Sequence, residues 1–177
     1  MRNALRTLAL GALVAAPLLA MSAPAHALTN VTSSGGQLSV NSANVSDDIS
    51  ISVESGFLVV RNNRDTLITA GVCQQVGTNT VRCPSGGVTN IVANLQGGND
   101  ILSNNTALPS RVFMGPGVDT FFGGPGKDFV SGNDNDDVLH GRGGNDILVG
   151  NAGFDQGFGG ADNDFCDTET LNSCEDS

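Results

Sequence analysis

The sequence predicts an all-β fold in two parts: a front region of strands and hairpins over residues 28–94, then a stack of nine-residue units over residues 95–167. Three observations point there. No stretch carries an apolar period near 3.6, and 24 glycines among many Asn and Ser would penalise a helix. "DISISVESGFLVV", starting at Asp48, alternates Ile49, Ile51 and Val53, breaks at Glu54–Gly56 and resumes at Phe57, as a β-hairpin does. Further on, an aspartate recurs at every ninth position from Asp119 to Asp164, and a fixed period of this kind marks a stacked, quasi-one-dimensional fold.

At the start of the chain, Arg2 and Arg6 precede "LALGALVAAPLLA", an apolar run short for a bilayer span. "AHA" at Ala25–Ala27 then offers small residues where signal peptidase reads. Residues 1–27 are therefore predicted to be a secretory signal peptide cleaved near Ala27, which places the protein outside the cell. No second apolar run follows, so membrane insertion is not expected. The formal net charge is −10, and loss of Arg2 and Arg6 makes it two units more negative. Such a surface repels nucleic acid and anionic lipid, which excludes both as partners, and it attracts cations.

In the front region, "NTVRC" and "VTNIVANL" read as strands beside the hairpin already noted. Cys73 and Cys83 bracket "QQVGTNTVR", a second hairpin with its turn near Gly77–Asn79. Cys166 and Cys174 lie near the end of the chain, in front of and within a short cap over residues 168–177. Two close pairs in an exported chain predict two local disulfides, Cys73–Cys83 and Cys166–Cys174, rather than buried thiols. Neither pair has the two-to-four-residue spacing of a zinc knuckle.

The repeat reads "MGPGVDTFF", "GGPGKDFVS", "GNDNDDVLH", "GRGGNDILV", "GNAGFDQGF" and "GGADNDFCD" in one frame. Its sixth place holds Asp119, Asp128, Asp137, Asp146, Asp155 and Asp164, and its eighth place Phe121, Val130, Leu139, Leu148, Gly157 and Cys166. Earlier, "LQGGNDILS" has Asp100 and Leu102 correctly spaced but is one residue out of frame, and "NTALPSRVF" keeps only Val112. The six segments resemble the RTX, or hemolysin-type, calcium-binding repeat: G-G-x-G-x-D, then an apolar residue between two variable ones. Gly123–Ser131 matches throughout; Met114 replaces the first Gly, Arg142 and Asn151 the second, and Asp162 the fourth, while Asn133 and Asn135 replace two in one unit.

The resemblance implies a right-handed parallel β-roll, two units to a coil. Residues eighteen apart then stack, with Asp119, Asp137 and Asp155 along one edge and Asp128, Asp146 and Asp164 along the other. Coils about 4.8 Å apart would set neighbouring carboxylates to repel by roughly 3.5 kcal/mol at an effective dielectric of 20. A dication between turns reverses that sign, and an all-oxygen donor set in a flexible loop suits Ca2+. The expected calcium residues are the six aspartates with the turn residues Gly115, Gly117, Gly123, Gly124, Gly126, Gly132, Gly141 and Gly144. Pro-Gly at the centre of Gly115–Gly117 and Gly124–Gly126 predicts type II turns. In this register Asp146 has an aspartate on either side and Asp119 ends its column. Asp134, Asp136 and Asp162 would add negative field, with one of them able to substitute as a ligand, and His140 would be a solvated strand-end residue.

Neither H-E-x-x-H nor G-x-S-x-G occurs, and His26 leaves with the signal peptide, so no enzyme is predicted. Two function classes stand: a calcium-binding structural module folded by the ion, and an adhesin or surface-binding module that uses the roll as scaffold. For the second, Phe129, Ile147 and Phe165 share the seventh place and Phe122, His140 and Phe158 the ninth. Both sets would form outward stripes for self-association or surface attachment, unless other parts of the chain cover them or they only pack along the ladder.

Overall fold

From residue 90 onward, strands alternate between two sheets as the chain winds, so that each strand pairs with the next but one. The computed structural model describes residues 28–174; the expected signal peptide lies outside the described residues. In the repeats, β10 (Ser110–Pro116), β12 (Asp128–Asp134), β14 (Ile147–Ala152) and β16 (Phe165–Asp167) stack in one sheet. β11 (Thr120–Phe122), β13 (Val138–Gly143), β15 (Gln156–Ala161) and β17 (Thr170–Asn172) stack in the other. All these pairs are parallel, and the register Phe129↔Ile147↔Phe165 and Thr120↔Val138↔Gln156 advances by eighteen. This is a parallel β-roll.

The change of composition near residue 95 coincides with no break in either sheet. β8 (Asn90–Asn94) pairs in parallel with β10, and β9 (Ile101–Asn105) with β11. There the register advances by nineteen, Leu102↔Phe121 and Ala93↔Val112. The extra residue sits in the turn between β9 and β10, which explains why "LQGGNDILS" falls out of frame. One coil earlier still, β2 (Gln37–Asn41) lies parallel to β8 and β3 (Asp48–Glu54) parallel to β9.

Residues between β3 and β8 fold back over this first coil. β4 (Phe57–Asn62) forms the expected hairpin with β3, Ile51 opposite Val60. β7 (Thr80–Pro84) runs antiparallel to β4, and β6 (Gln74–Gly77) to β7. In the other sheet β1 (Leu28–Ser34) is antiparallel to β2 and parallel to β5 (Thr66–Thr69). Antiparallel strands thus end the stack on this side. Cys73–Cys83 ties the β6–β7 hairpin, with Cys83 fully buried, and Cys166–Cys174 joins β16 to the segment after β17. Each closed loop contributes about 2–3 kcal/mol on the loop-entropy account.

In the roll the core is two facing files of inward residues, one from each sheet. Eighth-place Leu102, Val112, Phe121, Val130, Leu139 and Leu148 are all fully buried, as are Ile49 and Ala93 in the same register. Met114, where the repeat has its first Gly, also points into the core. Of the eight Phe, Phe121 alone is buried, so the interior is two aliphatic layers thick at most.

Leu139→Ala should cost about 2–5 kcal/mol, because the stacked coils cannot collapse into the gap. Phe154→Ala, at a residue 63% exposed, should change stability by less than about 0.5 kcal/mol. Urea unfolding in excess calcium checks both; equal losses would refute the assigned core.

Candidate metal centre

One interaction repeats along both edges, at the first residue of a strand or just before it. The Oδ1 of each sixth-place aspartate accepts the main-chain N–H of the sixth-place residue one coil earlier. Along one edge Asp119 N–H donates to Asp137 (2.9 Å) and Asp137 N–H to Asp155 (2.8 Å). Along the other, Asp128 N–H donates to Asp146 (2.7 Å) and Asp146 N–H to Asp164 (2.9 Å). All six predicted aspartates are buried, each exposed by no more than 2%.

The first column is longer than the repeat frame predicts. Asp100 N–H donates to Asp119 (2.7 Å) and Asp47 N–H to Asp100 (2.7 Å). Beyond Asp155, Glu169 takes over and accepts the Asp155 N–H at 2.7 Å. Asp119, expected at a column end, is therefore interior to it, since the longer turn after β9 brings Asp100 beneath it. Ser110, Asp47 and Glu169 are ladder members that the repeat frame misses. The signal for each was an apolar residue two positions on: Val112, Ile49 and Leu171.

Oδ1 is thus committed. Oδ2 is not: at Asp119, Asp137, Asp146 and Asp155 it is buried without a hydrogen-bond partner. Asp128, in the unit that matches the consensus throughout, differs. Its Oδ1 accepts from Ser110 N–H (2.9 Å), Ser110 Oγ (2.7 Å) and Asn104 Nδ2 (3.4 Å), and its Oδ2 from Gly124 N–H (3.0 Å).

The turn glycines make room for oxygens. A Cβ at Gly123, Gly132 or Gly141 would run into Oδ2 of its own unit's aspartate. At the second and fourth places, carbonyls of one turn press on the α-carbons of the next: Gln96 on Gly115, Gly98 on Gly117, and Gly126 on Gly144, where a Cβ would stand 2.7 Å from the carbonyl oxygen. A Cβ at Gly124 would meet the Thr106 carbonyl in the same way. The turns of Asp119, Asp137, Asp146 and Asp155 therefore each offer one unpartnered carboxylate oxygen beside main-chain carbonyls, all hard oxygen donors of the kind calcium prefers. Among the described residues no three His, Cys, Asp or Glu side chains converge.

Several turn residues depart from expectation. Gly126 lies outside the left-handed region and Gly117 has φ 153°, far from the value of about 80° in a type II turn. Their glycines serve close approach to the Ala107 and Gly98 carbonyls instead. Asp136 and Asp162 do more than add field: they accept N–H bonds from Phe154 (2.8 Å) and Gly144 (3.2 Å), one coil away. His140 is not solvated but half-buried between two phenylalanines, and that burial lowers its pKa.

The RTX calcium-binding nonapeptide repeat family matches residues 115–148 and 140–169. Residues 115–169 are hemolysin-type repeats. No curated protein and no solved structure gives a significant match to the chain. With the stacked aspartate turns, the repeats make this a calcium-binding β-roll.

Burial, more than repulsion between neighbours, is the electrostatic problem of this roll. It pushes Asp137 and Asp146 up to about 7 and Asp119 to about 6, with adjacent carboxylates a smaller cause where they act. Asp128 and Asp155 shift upward for the same first reason. A folded-state pKa above the unfolded value means that the roll binds extra protons between roughly pH 4 and pH 7. Without metal, then, stability is fully present below that window and lost as the pH rises through it. In chelator the melting temperature should be higher at pH 5 than at pH 8, and saturating calcium should remove or reverse that order by replacing the protons. A metal-free melting temperature that rises with pH over this range would contradict the burial argument.

Proposed function

We propose that this is a secreted protein whose roll is folded or stabilised by Ca2+ held between stacked Gly-Asp turns. The observation that carries the reading is the row of buried Oδ2 atoms without partners at Asp119, Asp137, Asp146 and Asp155. A buried, unpaired carboxylate costs several kcal/mol, so a chain that repeats one is built for a cation. Asp164 completes the second column, and Asp128, already supplied with donors, depends least on the ion. Gly115, Gly117, Gly123, Gly124, Gly126, Gly132, Gly141 and Gly144 leave the turns open where the ion would sit, since a Cβ at each would run into an oxygen of its own or a neighbouring turn. Calcium supplies positive charge and an oxygen-seeking coordination shell, while the chain holds the carboxylates and carbonyls in register. Two disulfides and the signal-like N-terminus favour an oxidising, calcium-rich location outside the cell. The role is binding rather than catalysis.

Circular dichroism of the full chain should show loss of β signal over the repeats in chelator and recovery on adding calcium, with affinity of about 10⁻⁴–10⁻³ M. An unchanged spectrum and melting temperature in chelator would overturn the reading.

A second reading, as an adhesive or self-associating scaffold, draws on the outer face. Phe122, His140 and Phe158 stack in register, with ring centroids 5.0 and 4.5 Å apart. Phe129 packs edge-on to Phe113 at 6.3 Å under the Arg111 guanidinium, and Phe165 is 41% exposed. Much of each stripe is thus used in packing along its own ladder, which favours the structural role over adhesion. Sedimentation in calcium separates the two: the scaffold reading expects association that the Phe129→Ser/Phe165→Ser variant abolishes. A wild type that stays monomeric and binds no polysaccharide or cell-wall preparation removes it.

A further inference from the structure

We infer that the cation column along the β9–β11–β13–β15 edge begins one coil before the matched repeats, at a calcium site in the Gln96–Asp100 turn held by the Asp100 carboxylate and surrounding main-chain carbonyls. This rests on the calcium reading above and extends it to residues outside 115–169.

Asp100 is 1% exposed. Its Oδ1 accepts the Asp47 N–H, and its Oδ2 is buried with no partner, the condition of Asp119, Asp137 and Asp146. The turn around it has the same build. Gln96 and Gly98 take positive φ, 68° and 134°, at the second and fourth places. Their carbonyls press on Gly115 and Gly117 in the turn above, and the Val45 carbonyl presses on Gly98 from below, where a Cβ would stand 2.6 Å away. Carbonyl oxygens from two successive turns, with the Asp100 Oδ2, therefore crowd this part of the edge.

The contrast with the two column ends is decisive. At Asp47 the carboxylate is met by side-chain donors: Asn62 Nδ2 and Thr29 Oγ1 on Oδ1, and Ser42 Oγ on Oδ2. Asp128 is met the same way by Asn104 and Ser110. Where this fold satisfies a ladder carboxylate by itself, it brings an asparagine and a hydroxyl. Asp100 has neither. Arg64, the nearby cation, donates to the Asn99 carbonyl (2.9 Å), and Asn99 Oδ1 accepts from Val118 N–H (3.1 Å). A hard dication with water completing six to eight oxygens meets the requirement.

Native mass spectrometry of the full, disulfide-bonded chain in calcium tests this. Asp100→Asn should bind one ion fewer than wild type while keeping its β-sheet circular dichroism. If that variant fails to fold, Asp100→Ser serves, because Ser110 already occupies a sixth place in the other column. An unchanged count in a folded variant of either kind overturns the inference and leaves the calcium reading of the repeats intact. A wild type that binds no calcium at all overturns both.

Discussion

Each coil of this roll is tied to the one before by a carboxylate that accepts a main-chain N–H. From that bond much of the rest follows. It draws the sixth-place side chain under its own turn, so Asp137 or Asp146 cannot swing out to water. The second oxygen is then carried into the turn with it, where Gly132 or Gly141 leaves the space that a Cβ would fill. The register is fixed by the same contact, which is why parallel pairing at eighteen residues persists over units whose other positions vary freely. The bond that orders the stack is also what buries a charge, and burial is what calls for a cation.

Backbone strain is distributed to suit. Arg142 and Asp162 hold φ of 74° and 79°, and Asn133, Asn135 and Asn151 lie close by. For Asn the penalty is small; for an arginine, left-handed geometry costs about 1–2 kcal/mol. The stack enforces it because carbonyls of successive turns must point into one gap. Substituted glycines therefore leave the turn geometry standing and weaken its stability instead.

Much of this was legible in the sequence. A nine-residue period with aspartate at the sixth place and Val130, Leu139 or Leu148 at the eighth dictates which side chains face in, and local alternation is enough to read the β3–β4 and β6–β7 hairpins. What could not be read was long-range. Nothing local to Leu38 or Ile49 says that they stack on Ile91 and Leu102, since 53 residues separate each pair and pairing depends on the fold-back of β4–β7. The caps on Asp47 and Asp128 were hidden for the same reason: Asn62 and Asn104 reach those carboxylates across a coil. Asp100 and Leu102 were legible as a unit out of frame, but not that they stack under Asp119 and Phe121, because one added residue in a turn displaces the count without displacing the stack.

A solenoid must also stop, and the far end shows how. The eighth place of the penultimate coil is Gly157, which a core-forming repeat would fill with Leu. A Cβ there would stand 3.2 Å from Cys166 Sγ and 2.7 Å from Thr168 Oγ1, so the missing side chain leaves room for the bridge to Cys174. The core thus tapers from Leu139 and Leu148 to a glycine and a disulfide. The last step between coils shortens to match, with Gln156 opposite Thr170, and Leu171 at the next eighth place is 49% exposed. The terminal strands β16 and β17 are three residues each, with Asp167 and Glu169 at or beside them. Short, charged edges discourage a further strand from adding. Since Glu169 also accepts the last ladder N–H of its column, the carboxylate chemistry that propagates the roll is turned at its final rung into the device that ends it.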